Sequence, residues 1–296
     1  MVINELINVK DDRLMDGLIP LVTIMSKVSR SKETDLKVDF SRTQFISPVF
    51  ALSLIVYLSG CGKNVSYSNL PDYLNVIAFS ENGIQPDKMR NSEFVALMER
   101  YAKKTYIPIV NFPAKANSDE KDEISSVIEN IIIRQQDIPS NVSIGLKYIV
   151  EETLDNITEH SESNRGYIFA QSYPKKGYLD LCIADRGVSL LGSYQKLPGN
   201  EIVSDLEAIK AANRGLSSKN LPNAENRGYG IRTSKRMLTE GLGGQFLMLS
   251  GNSFYLKTPG FNSFYSFPGS LRLSGTVVAL RIPYNVNKFN YINYIE

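Results

Sequence analysis

Four short groups of residues carry types that could do chemistry together: Glu152-x-x-x-Asn156, Asp185-x-Gly187, Arg227-Gly228-Tyr229-Gly230-Ile231 and Gly275-Thr276. A carboxylate such as Glu152 can orient and deprotonate an attacking water or hydroxyl. An asparagine oxygen is a hard, neutral ligand suited to a Mg2+ ion held mainly by phosphates and waters, so Asn156 is the candidate metal ligand. Asp185 ends an apolar run, and a carboxylate drawn into such a place needs donors, which a purine amine supplies. Gly187 lets the backbone approach a flat ring. Gly228-x-Gly230 stands at the start of a helical stretch, where free amides and permissive backbone bind anions. Lys219, Arg227, Arg232 and Lys235 add cations close by in the chain. Together these are the parts of an ATP–Mg2+ site. The chain has no Gly-x-x-x-x-Gly-Lys-Ser/Thr, so a P-loop is not expected.

Specific elements must position these groups. On a wheel of about 100° per residue, Leu146, Ile149, Val150, Thr153, Leu154 and Ile157 form one buried face of a helix expected within 139–161. Glu152, Asn156 and His160 make a stripe along its edge, whereas Glu151 and Asp155 turn toward solvent, so geometry favours Glu152 as the acting carboxylate. In Tyr178-Leu-Asp-Leu-Cys-Ile-Ala-Asp185 the two-residue period places Asp185 on the face of Leu179, Leu181 and Ile183. A helix is expected from Gly228 to Glu240, preceded by a polar, glycine-containing stretch that suits a lid over phosphates. Strands are expected near 106–112, 165–172, 245–249, 254–257, 264–267 and 271–283, with a helix over 123–135 after a charged loop at 115–123.

The first hundred residues have another rhythm. A helix over 14–28, a strand over 36–40, an apolar helix from Pro48 to Leu58, a strand over 65–67 and a helix over 71–79 form a small α/β layer. Proline at the start of the apolar helix, with Gly60 and Gly62 beyond its end, is the expected asymmetry. The domains read as 1–104, including a connecting helix over 92–104, then 105–285, then a peripheral tail over 286–296. A length of 296 residues suits two domains, each with a core.

Net charge is +2, which gives no global basic field for nucleic acid or an anionic membrane. The longest apolar stretch falls short of the roughly 20 residues of a membrane span. The opening residues, with Glu5, Lys10, Asp11 and Asp12, do not read as a secretion signal. Cys61 and Cys182 lack metal-ligand spacing and read as reduced thiols, which fits a cytoplasmic location.

The order of the four groups resembles the Bergerat-fold ATPases, the GHKL or histidine-kinase-like family of DNA gyrase, heat-shock 90 chaperones and histidine kinases. The likeness covers residues 105–285 and implies a two-layer α/β sandwich. It implies Glu152 as general base and Asn156 on Mg2+. It implies that Asp185 reads adenine, with the Thr276 hydroxyl helping to hold the ring. Gly187, Lys219, Arg227, Gly228, Tyr229, Gly230 and Ile231 would complete the nucleotide site. Family members usually carry a glycine two positions after Gly187, where this chain has Ser189. The pattern Glu152…Asn156…His160 is most similar to the anti-sigma-factor serine kinases. His160, the chain's one histidine, lies inside this box, which argues against histidine self-phosphorylation.

Residues 38–48, followed by the apolar helix, resemble the strand and phosphoacceptor turn of STAS domains. The usual Asp-Ser of that turn is here Ser47-Pro48, so the phosphoswitch is absent or has moved to Ser47. The two resemblances imply an ATP-driven regulatory switch with ATPase or serine/threonine kinase activity, and a protein partner bound through the STAS-like half. A non-catalytic nucleotide-binding module is the alternative.

Overall fold

The computed structural model describes residues 1–5, 7–8, 13–114, 118–136, 138–160, 162–216, 229–284, 286 and 289–294. The chain opens with β1 (Val2–Ile3), β2 (Ile7–Asn8), α1 (Leu18–Arg30), β3 (Asp35–Asp39), β4 (Thr43–Phe45), α2 (Pro48–Gly60), β5 (Asn64–Ser68) and α3 (Asp72–Val76). Strands β1, β3 and β5 form a parallel sheet with β3 in the middle, and β2 pairs with β4. In β3 the two-residue period buries Leu36 and Val38 and exposes Asp35 and Lys37. Helix α2 has proline in its first turn and is buried at every position from Pro48 to Leu58. A helix apolar all round must be covered all round.

The cover comes from both halves of the chain. After α4 (Asn91–Glu99) follow β6 (Tyr106–Pro113), α5 (Ser118–Gln136), α6 (Ser140–His160), β7 (Arg165–Tyr173), β8 (Tyr178–Asp185), α7 (Leu190–Tyr194), α8 (Asp205–Asn213) and α9 (Tyr229–Arg236). The last strands are β9 (Gln245–Ser250), β10 (Ser253–Thr258), β11 (Phe261–Ser266) and β12 (Thr276–Pro283). Strands β6 to β12 form one sheet in the order β11-β10-β9-β12-β8-β7-β6, antiparallel throughout. On one face, Leu181, Ile183, Val278 and Leu280 share a core with Ile128, Leu146 and Ile149 of α5 and α6. On the other, Cys182, Ala184, Val277 and Ala279 share a core with Phe50, Leu54 and Leu58 of α2.

The protein is thus mixed α/β with a large antiparallel sheet. The expected two-layer sandwich gains a third layer, because α2 lies against β7, β8 and β12 while α1 backs it. The reason is visible in β8 and β12, which are apolar on both faces and would leave one face wet in a two-layer arrangement.

Three local expectations also shift. The charged stretch after residue 115 is helical from Ser118, since acids suit a helix N-terminus. The final strand starts at Thr276 and not at Leu271; Leu271 and Leu273 instead bury themselves in the α2 core. Helix α9 ends in a π-helical turn over Met237–Gly241. The tail is held by Phe289, whose ring lies against Gly145 and Gly241. Among the described residues no helix is long and apolar enough to cross a membrane.

Candidate functional site

Strand β8 carries Asp185 on the face of Leu179, Leu181 and Ile183, as its period requires. The residue is 2% exposed. One carboxylate oxygen accepts the Gly187 N–H at 2.7 Å, and the other accepts the Thr276 N–H at 3.2 Å. Burial pushes the carboxyl up to about 7, against the opposing pull of these two amides. The chain therefore supplies two donors itself, where the sequence left that task to a purine. Carboxylate oxygens have further lone pairs, so an incoming N–H still finds an acceptor.

Gly275 lies so close to the Asp185 backbone that a Cβ there would overlap the Asp185 carbonyl oxygen. Backbone cannot swing aside as a side chain can. Gly275→Ala is expected to cost about 3 kcal/mol of stability through overpacking, read as a lower denaturant midpoint. An unchanged midpoint would show that this close approach is absent.

Sequence reasoning missed the residues that frame this end. Ser250 is buried at the end of β9. Its hydroxyl accepts from the Leu190 N–H at 2.9 Å, donates to the Gly275 carbonyl at 3.3 Å and meets the Thr276 hydroxyl at 3.0 Å. Ser189, standing where a glycine was expected, caps α7 by accepting the Gly192 N–H. It also bonds Asp205 at 3.4 Å. No local pattern announces these roles, because every partner except Gly192 is distant in the chain.

The other end is built by α6 and α9. Leu146, Ile149, Val150, Thr153 and Leu154 are buried, and Glu152 and Asn156 stand half-buried at the edge, as the wheel requires. Glu151 is exposed; Asp155, expected toward solvent, is half-buried. Helix α9 packs on α6 so that a Cβ at Gly230 would overlap the Glu152 carboxylate. The second glycine of the Gly-x-Gly pair and the candidate base are thus neighbours.

The Asn156 Nδ2 donates to the Glu152 carbonyl at 2.5 Å, which turns Oδ1 away from the helix backbone. One outward neutral oxygen fits a Mg2+ ion whose other ligands are phosphates and waters. Among the described residues, no group of three or more His, Cys, Asp and Glu could hold a metal by itself. Helix α6 also packs against β8, so Glu152, Asn156 and Asp185 share one face of the sheet.

Ile231 is half-buried against the same core. Lys235 donates to the Asn213 carbonyl and side chain at 3.2 and 3.0 Å and lies over the Tyr255 ring. Burial pushes its ammonium down to about 8, helped by Lys257 and Arg232. Lys219, Arg227 and Gly228 lie outside the described residues, as do the side chains of Tyr229 and His160. A cleft of about 650 Å³ beside α8 is lined by Lys210, Arg214 and Arg232 together with Glu201 and Glu207.

At the N-terminal turn, Ser47 is 5% exposed. Its hydroxyl accepts the Phe50 N–H at 3.4 Å as the cap of α2, and Gly17 crowds it from the other side. The Ser47 hydroxyl is thus enclosed and engaged as a helix cap. No protein-family model and no curated protein matches the chain.

Proposed function

We propose that the sheet face bearing Asp185, together with Glu152 of α6 and Gly230 of α9, is an ATP–Mg2+ site of the Bergerat type, in a regulatory protein that uses ATP as a switch. The observation that carries this reading is convergence. Asp185 meets Gly275 and Thr276 at one end, about ninety residues away in sequence, beside its near neighbour Gly187, and Glu152 meets Gly230 at the other, about eighty residues away. Asp185 accepts the amine N–H of adenine, and the Thr276 hydroxyl, fixed by Ser250, borders the ring. The start of α9, with Gly230, Ile231 and the segment holding Lys219, Arg227, Gly228 and Tyr229, receives the phosphates. Asn156 would hold Mg2+, whose positive charge neutralises the phosphate oxygens. Glu152 orients and deprotonates the attacking water or hydroxyl.

Hydrolysis and transfer to a serine or threonine hydroxyl use the same parts. Because Ser47 is a buried cap, a phosphoryl acceptor is sought on a partner protein. The STAS-like half offers such a partner exposed apolar side chains, Ile19 and Val76 among them. It shares a core with the sheet, so a partner senses the nucleotide through fixed packing and not through a swinging domain. The alternative is a nucleotide-binding interaction module without turnover. The site calls for no nucleic acid and no membrane, and a cytoplasmic ATP pool would serve it.

ATP labelled on its terminal phosphate, supplied with Mg2+, tests the reading. Bound ATP is the expected result. Free labelled phosphate then identifies an ATPase, label on protein identifies a kinase, and intact bound ATP identifies the module. Failure to bind at a Kd below about 1 mM would overturn the ATP site itself.

A further inference from the structure

Asp205 is the first residue of α8 and is only 4% exposed, yet it is a carboxylate. Three segments reach it. The Asn252 N–H in the β9–β10 turn donates to Oδ2 at 3.0 Å. Ser189, two residues past Gly187, bonds Oδ1 at 3.4 Å. Arg272 donates to the same oxygen at 3.1 Å and to the Ser189 hydroxyl at 3.3 Å.

Each segment leads directly to the Asp185 end of the site. Ser189 follows the Asp185–Gly187 loop, the β9–β10 turn follows Ser250, and Arg272 precedes Gly275-Thr276. The Arg272 side chain is 49% exposed, but its flanks, Leu271 and Leu273, are buried in the α2 core, and the Leu273 N–H bonds the Gly251 carbonyl at 2.9 Å. The cation is therefore aimed by fixed backbone. Gly251 turns with a φ of +59°, and a Cβ there would overlap the Asp205 carboxylate. The turn is shaped around this side chain. The far end of the same helix is also tied down, where the Asn213 side chain and carbonyl accept from Lys235 of α9. Asp205 and Asn213 stand about 12 Å apart along α8 at 1.5 Å per residue.

We propose that Asp205, paired with Arg272, is a positioning residue: it locks the loop after Asp185, the β9–β10 turn and the segment before Gly275 into one frame around Asp185, and α8 ties that frame to α9. This inference rests on the ATP reading for its purpose but not for its geometry. Burial raises the Asp185 carboxyl, and the Gly187 and Thr276 amides lower it. Its titration midpoint therefore reports whether the frame stays closed.

The experiment compares the parent with Asp205→Asn, and with Arg272→Met should the first variant not fold. Carboxyl NMR follows the Asp185 midpoint without ligand, and calorimetry follows ATP and inorganic tripolyphosphate. In a folded variant the midpoint is expected to fall toward the ordinary carboxylate range as water enters. ATP affinity is expected to drop about tenfold, as for one charged hydrogen bond, with tripolyphosphate unchanged. A midpoint and an ATP affinity equal to the parent's overturn the proposal. So does an equal loss for ATP and tripolyphosphate, since a merely structural defect acts on both. A moved midpoint in a protein that binds no ATP leaves Asp205 as the positioning residue and removes the nucleotide reading instead.

Discussion

Asp185→Asn is expected to weaken ATP binding at least about a hundredfold while removing the fall in ligand-free stability between pH 4 and pH 8. The two effects share a cause. In the folded chain burial pushes the Asp185 carboxyl up to about 7, from 3.8 when unperturbed. Between those values the folded state binds a proton that the unfolded state has released, so stability falls as pH rises through this window. Below about pH 4 the contribution is fully present, and above about pH 7 it is lost. Three pKa units correspond to about 4 kcal/mol. Asparagine does not titrate and escapes this loss. Its N–H2 must, however, face one of the two backbone donors, the Gly187 or the Thr276 N–H, which costs about 1–3 kcal/mol at every pH. The variant should therefore be less stable than the parent near pH 4 and close that gap steadily to pH 8.

The cost appears in binding. Asparagine brings an N–H2 where the purine amine needs an acceptor, and two donors facing each other should weaken ATP at least about a hundredfold. Denaturant midpoints at pH 5 and pH 8, with calorimetry for ATP, check both halves. A variant destabilised equally at both pH values would remove the buried, raised carboxyl from the account. One that binds ATP as the parent does would remove Asp185 from the site.

The parts of the site that were legible in the sequence are those that depend on local periodicity. Strand parity alone put Asp185 beside Ile183, and a helical wheel alone put Glu152 and Asn156 at the edge of a buried face. What was not legible depends on contacts between distant segments. The approach of Gly230 to Glu152 needs two helices to pack, and the hold of Arg272 on Asp205 needs two loops to meet. The third layer was half-legible. Residues 179–184 are apolar on both faces except for Asp180, a residue type that is mostly exposed. It is in fact buried in a two-pronged pair with Arg281, at 2.7 and 2.8 Å, over which the Tyr178 ring stacks. A cross-strand partner about a hundred residues away cancels the polarity that a local reading weighs. Similarly, the helix from Pro48 carried its own signal, since an element with no polar face has to be central.

Glu152→Gln is expected to reduce ATP turnover or phosphoryl transfer by about a hundredfold to ten-thousandfold, the usual reach of a general base, with ATP affinity close to the parent's. The amide keeps the shape but cannot accept the proton. Gly230→Ala isolates position from chemistry. An alanine Cβ would overlap the Glu152 carboxylate, and the flexible end of that side chain must swing away to make room. Gly230 is in the first turn of α9, where alanine keeps only part of its helix-interior advantage of about 1 kcal/mol, so stability is expected to stay within about 1 kcal/mol of the parent while the carboxylate is displaced. A matching loss of turnover in both variants, without loss of stability, would be hard to explain unless Glu152 acts from the place where Gly230 admits it. Glu152→Gln protein that turns ATP over as fast as the parent would remove Glu152 as the base. Full activity in Gly230→Ala would show that Glu152 can act without its present contact to α9. The pair of variants therefore separates what the carboxylate does from where the helix start holds it.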